Sequence, residues 1–79
     1  MRNPDRLNKF YAEFREIHKK SFADWRFGQL CSNFFGWLYQ KKGIDLFFPE
    51  EDEMIKYLKE FTNDTSPYHQ EWEIDGIKL

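Results

Sequence analysis

The residues with most to offer chemically lie in one stretch, residues 24–43, DWRFGQLCSNFFGWLYQKKG. Read as a helix at about 100° per residue, it sorts its side chains onto three faces. Arg26, Gln29, Asn33, Trp37 and Gln40 form a polar row that carries one large aromatic, and Trp25 adds a second indole beside it. Guanidinium, amide and indole groups hold partners through hydrogen bonds and ring contacts, and Arg and Trp are typical interface anchors. A second face carries Gly28, Ser32 and Gly36 at spacing four. Such a notch admits another backbone, either helix 1 or 3 of the same chain or a second copy. Each glycine costs about 1 kcal/mol relative to alanine inside a helix, so close packing is the expected compensation. The third face, Phe27, Leu30, Cys31, Phe34 and Leu38, is a core stripe, with Cys31 as a buried, inert thiol.

A second set of reactive groups is the carboxylate run Glu50, Glu51, Asp52 and Glu53. At the start of a helix it complements the positive end of the dipole, and it could also dock a basic partner. No Ca²⁺-loop pattern with its glycine accompanies it, and no metal is expected there. Nucleophilic catalysis needs an activated Ser or Cys with a His and an orienting acid. The two histidines, His18 and His69, sit in no such arrangement, and one cysteine with two distant histidines is not a zinc set. The four glycines are isolated, so there is no phosphate-cradling loop. The expectation is a chain without catalytic residues or cofactor.

Three helices must position these groups. Residues 3–20 read as helix 1, with Asn3 as N-cap and Pro4 at the first helical position. Leu7, Phe10, Tyr11, Phe14 and Ile17 give its apolar stripe, and Glu16 and Lys20 are in the favourable i, i+4 order. Ser21–Ala23 is a short connection in which Phe22 packs back on a helix. Asp24 caps helix 2 and Gly43 ends it, with Lys41 and Lys42 in the last turn. The apolar segment Ile44-Asp45-Leu46-Phe47-Phe48 reads as extended chain laid over the core, with Asp45 outward. Pro49 opens helix 3, about residues 49–62, with Met54, Ile55, Leu58 and Phe61 inward. Residues 63–67, NDTSP, break the helix, and the tail YHQEWEIDGIKL alternates apolar and acidic residues around Asp75-Gly76, which reads as a short β-hairpin.

Seventy-nine residues make one domain. Aromatics are 20% of the chain, more rings than one small core hides, so some are expected at the surface or in an interface. The net charge of −2 conceals an asymmetry. Residues 1–42 hold nine Lys/Arg against four Asp/Glu, and residues 43–79 hold three against ten. The halves either neutralise each other in the fold or present two opposed patches. The basic half, with Arg2, Arg6, Lys9, Arg15, Lys19, Lys20 and Arg26 near Trp25 and Trp37, raises nucleic-acid or nucleotide binding as an alternative. No apolar run approaches the ~20 residues of a membrane span and the start does not read as a signal peptide, so a soluble cytoplasmic protein is expected.

The stretches RNPDR, DWRFGQLCSN and DLFFPEEDE resemble a group of short proteins from Gram-positive bacteria and their phages. The matching positions are Asp24, Arg26, Phe27, Gly28, Gln29, Leu30, Asn33, Asp45, Phe47, Phe48, Glu51 and Asp52, within about residues 1–62. The resemblance brings no activity, cofactor or catalytic residue. It implies a setting in which proteins of this size block a host factor, including components of antiphage defence.

The sequence therefore predicts a mainly α protein. Residues 1–62 form a compact three-helix domain with helix 2 central and the IDLFF segment extended, and residues 63–79 form a C-terminal β element that is docked on it or orders only on binding. The predicted function is a small protein-binding module, an inhibitor of a host protein. Its contacts are Trp25, Arg26, Gln29, Asn33, Trp37, Glu50, Glu51, Asp52 and Glu53, and Gly28, Ser32 and Gly36 offer a homodimer surface. Nucleic-acid or nucleotide binding and structural self-association are the alternatives.

Overall fold

The computed structural model describes residues 2–65, together with the backbone of the short stretches Glu73–Ile74 and Ile77–Lys78. It is mainly helical, with three α-helices. The first, α1, spans Arg6–Ser21. Asn3 does act as a cap, but of a turn that precedes the helix: its Oδ1 accepts from the Asp5 N–H at 2.9 Å. The carbonyls of Asn3, Pro4 and Asp5 then accept from Arg6, Leu7 and Asn8 three residues on. The tight turn moves the helix start from residue 3 to residue 6, and Pro4 lies outside it. On the apolar stripe Ile17 is fully buried, Phe10 and Phe14 are half-buried, and Tyr11 is exposed. The outer face carries the expected i, i+4 ion pair, Lys20–Glu16 at 3.7 Å, and a second one, Lys9–Glu13 at 3.8 Å.

Phe22 follows α1, donates its N–H to the His18 carbonyl and is fully buried. The second helix, α2, begins only at Phe27 and runs to Trp37. Asp24 is not its cap. A turn in which the Trp25 N–H bonds the Phe22 carbonyl uses up residues 22–25. Arg26 then takes the cap position in extended conformation, and its backbone N–H donates to Gln29 Oε1 at 2.9 Å. Residues Leu38–Lys42 continue α2 as a wider π-helical segment. Gly43, at φ +64°, closes it by donating its N–H to the Tyr39 carbonyl. This is the left-handed C-terminal conformation expected of that glycine.

The third helix, α3, spans Glu51–Thr65. Pro49 lies outside it, and the Glu50 carbonyl accepts the first helical bond, from Met54. At the other end the expected break at residue 63 does not occur. Thr62 Oγ1 donates to the Leu58 carbonyl at 2.8 Å and Thr65 Oγ1 to the Phe61 carbonyl at 2.7 Å. These hydroxyls bond back to the turn below, an arrangement available to Thr within a helix. Ile55, Leu58, Phe61 and Thr62 face inward.

Helices α1 and α3 run side by side in the same direction. Their starts are joined by Arg2–Glu50 at 2.7 Å and Arg6–Glu51 at 2.6 Å, and their ends by Phe22 stacked on Phe61 at 5.5 Å. Helix α2 lies across this pair. Its first residue, Phe27, meets Phe14 of α1, while Phe34 and Trp37 meet Phe61 of α3. The core is Ile17, Phe22, Leu30, Phe34, Leu38, Ile55, Leu58 and Phe61.

Two expectations about coverage fail. Helix α2 is not the central helix that the sequence predicts: only Leu30 and Phe34 are buried on it, with Leu38 just beyond. Helix α2 covers one flank of the packed α1–α3 pair. Phe27, at the end of its core stripe, is 65% exposed. The IDLFF segment does not lie over the core either. Ile44 packs inward, but Asp45 Oδ1 accepts from the Phe47 N–H at 3.0 Å and the Asp45 carbonyl from the Phe48 N–H at 3.2 Å. This side-chain-capped turn bends the chain outward. Asp45 is exposed, as expected. The expected C-terminal β element falls on residues that lie outside the described ones, save a two-residue antiparallel pairing of Glu73 with Lys78 and Ile74 with Ile77.

Candidate functional site

The later part of the polar row of α2 and of the notch beside it opens onto one groove, which Arg26, Gln29 and Gly28 do not line. Trp25, Ser32, Asn33, Gly36, Trp37 and Gln40 line it, with Phe61 and Thr65 of α3 along its side, around a volume of about 500 Å³. Both indoles are half-buried. Trp25 lies 4.7 Å from the Phe22 ring, and its carbonyl accepts from His18 Nε2 at 2.7 Å. That bond requires the tautomer with hydrogen on Nε2 and gives His18 a structural part. Trp37 meets Phe61 edge-on at 5.6 Å, and its Nε1 donates to Asp64 Oδ2 at 2.9 Å. The sequence placed Trp37 on an outward row. The structure ties one side of it into the fold and leaves the other facing the groove.

The remaining residues of the row behave differently. Arg26, Gln29 and Asn33 are exposed. Gln29 accepts the backbone N–H of Arg26 with its amide oxygen, and the Arg26 and Asn33 side chains are exposed beside it. Gly28, Ser32 and Gly36 are exposed as well. A methyl group added at Gly28 or Gly36 would meet no atom within 4 Å. The expectation that helix 1 or helix 3 fills this notch is therefore corrected: α2 rests on its neighbours through larger side chains on another face.

The acidic run forms a separate surface. Glu50 and Glu51 are held by Arg2 and Arg6, one from the turn before α1 and one from its first residue. The hydrogen bond from the Arg6 guanidinium, reinforced by its charge, holds the Glu51 carboxyl below the usual glutamate range. Asp52 Oδ1 accepts from the Glu53 N–H, and both side chains are exposed. Glu50, Glu51 and Asp52 line a cleft of about 470 Å³ between α1 and α3, with Phe10 and Ile55 at its floor. No residue lines both this cleft and the α2 groove. The two halves of the predicted contact surface are thus not brought together, and two of its four carboxylates are engaged inside the fold.

The same pairings bear on the basic half. Arg2 and Arg6 reach α3, while Lys9 and Lys20 face glutamates of α1. Arg15 and Lys19, one turn apart on α1, and Arg26 at the start of α2 are exposed. Cys31 is half-buried, and burial pushes its thiol up, which keeps it protonated at neutral pH. Among the described residues no group of three His, Cys, Asp or Glu side chains could hold a metal ion. Among them, too, no helix is long and apolar enough to cross a membrane.

Sequence reasoning missed the most exposed aromatics. Phe47 and Phe48 are 85% and 80% exposed, and Tyr39, Phe27 and Tyr11 stand clear of the core as well. A signal was present: Asp45 two residues before Phe47, between the helix-ending Gly43 and Pro49, is the pattern of a side-chain-capped turn. Comparison with family models, with curated proteins and with solved structures yields no match for this chain.

Proposed function

We propose that this chain is a small protein-binding module that works without catalysis or cofactor. The observation that supports it is the outward display of large apolar side chains: Tyr11, Phe27, Tyr39, Leu46, Phe47 and Phe48 are between 41% and 85% exposed. Fully burying such a side chain is worth about 1.5–3 kcal/mol. A 79-residue domain that leaves six of them outside forgoes much of the stability available to it, and a partner surface recovers that energy. Arg26 and Asn33 on α2 supply the polar contacts beside them. In its specific form, which rests on the resemblance over residues 1–62, the module is a phage-encoded inhibitor that occupies a host protein of the cytoplasm. Its C-terminal stretch forms a β-hairpin that docks on the helices or orders on binding.

The test is affinity capture from host lysate with the wild-type chain and an Arg26→Ala/Asn33→Ala variant, neither of which touches the core. The wild type is expected to retain one protein in stoichiometric amount and the variant to lose most of it. Equal retention moves the contact away from the α2 row, and no retained protein at moderate salt removes the reading.

A second reading, self-association through α2, is favoured by the open space over Gly28 and Gly36. Sedimentation that shows only monomer at high concentration removes it. Nucleic-acid binding ranks lower, because four of the basic side chains that motivate it already face carboxylates.

A further inference from the structure

We infer that the Leu46-Phe47-Phe48 turn is the anchor of this module, and that its partner is a protein pocket with an apolar floor and a rim of Lys or Arg side chains. This inference rests on the protein-binding reading and names the chemistry of the partner. The turn is built to keep its shape. Ile44 pins one end to the core, and Asp45 locks the bend through its side chain and its carbonyl. Gly43 ends the π-helical segment just before it, and α3 starts three residues after Phe48. Two phenyl rings held outward by a fixed backbone lose little freedom on docking, which favours them as anchors.

Charge decides between partners. Residues 43–53 contain five carboxylates and no basic residue. Arg2 and Arg6 neutralise two of them, Glu50 and Glu51. Asp45, Asp52 and Glu53 remain, all exposed, and face no cation in an ion pair of the described residues. Lys42, just before the turn, is drawn away to Glu60 at 3.3 Å. An anionic lipid surface or a nucleic acid would be repelled at close range, whereas a basic rim would be attracted. The aromatic pair supplies affinity, and the carboxylates supply orientation and encounter rate.

The test uses the full chain with a photo-reactive benzoylphenylalanine in place of Phe48, followed by zero-length carbodiimide coupling of carboxylates to amines. Both reagents are expected to join the chain to the same host protein: the first to apolar residues, the second from Asp52 or Glu53 to a lysine beside them. Phe47→Ala/Phe48→Ala is expected to weaken binding by about 30-fold or more. Asp45→Asn/Asp52→Asn/Glu53→Gln puts an amide oxygen where the Asp45 carboxylate oxygen holds the turn, and it is expected to slow association and flatten its salt dependence. Circular dichroism verifies that both variants are folded. Capture that survives Phe47→Ala/Phe48→Ala overturns the inference and leaves the protein-binding reading standing. Failure of the wild type to capture any protein overturns both. Binding of the wild type to phosphatidylcholine or phosphatidylserine vesicles that is lost in the double-alanine variant overturns the choice of partner.

Discussion

Arg6 donates from Nε to Glu51 Oε1 at 2.6 Å, and the carboxyl is held below its ordinary pKa by that bond. A carboxyl that is more acidic in the folded chain stabilises the fold above its unfolded pKa, and the effect is lost as the pH falls through the folded value. Glu51→Gln is therefore expected to lower the melting temperature at pH 7, and the difference shrinks as the pH falls through the depressed folded value of Glu51 and vanishes once the carboxyl is protonated in both states. Thermal unfolding at pH 7 and pH 3 checks this, and an equal gap at both pH values would assign the loss to packing instead. The partners of individual side chains were the least legible feature of the sequence. Trp37 on an outward row gave no sign of Asp64, 27 residues away, which accepts its Nε1 hydrogen. Glu50 and Glu51 read as dipole complements, and they are at the helix start as expected, but the arginines that take them up lie 48 and 45 residues earlier. Neither separation leaves any local trace.

Each helix carries local signals that survive folding, and most of its boundaries moved for a local reason. Gly43 has a positive φ, so Gly43→Ala is expected to destabilise by about 1–2 kcal/mol. Gly36 is in helical conformation with open space where a Cβ would stand, so Gly36→Ala is expected to stabilise by about 1 kcal/mol. Urea denaturation of both variants shows opposite shifts if the two glycines differ as described. If Gly36 instead serves a dimer contact, Gly36→Ala lowers stability in a concentration-dependent way. The start of α2 shows how near a sequence signal can come and still miss. Asp24 is a better N-cap by residue type than Arg26, yet Gln29 three residues after Arg26 completes the cap from inside the helix. The end of α3 shows the reverse. Turn-forming residues Asn63 and Asp64 stay helical between Thr62 and Thr65, whose hydroxyls bond back to the turn below.

Over the whole molecule the helices meet at Phe61. Its ring touches Phe22 after α1, Phe34 and Trp37 of α2, and it is itself almost fully buried in α3. Truncating a buried Phe to Ala costs about 3–5 kcal/mol, against roughly 4–12 kcal/mol for the stability of a domain this size. Phe61→Ala is expected to abolish or nearly abolish cooperative unfolding while leaving much of the helical far-ultraviolet signal. Near-ultraviolet dichroism and thermal melting of the variant decide this, and a melting temperature within a few degrees of wild type would mean that another residue joins the three helices. The charge asymmetry belongs to the same scale. The positive first half and the negative second half meet at the parallel starts of α1 and α3, which consumes part of each patch.

The chain's own order of residues settled that there are three helices, that Ile17, Phe34, Leu58 and Phe61 belong inside, and that Gly43 stops the second helix. These follow from periodicity, capping and backbone freedom, which act over one or two turns and are written in adjacent positions. Packing alone decided that α2 covers one flank of an α1–α3 pair, that its glycine face stays open, and that Phe47 and Phe48 stand out in solvent. An apolar side chain is hidden only if some other element reaches it. That depends on the direction in which helices cross, and the crossing is fixed by contacts between residues far apart along the chain.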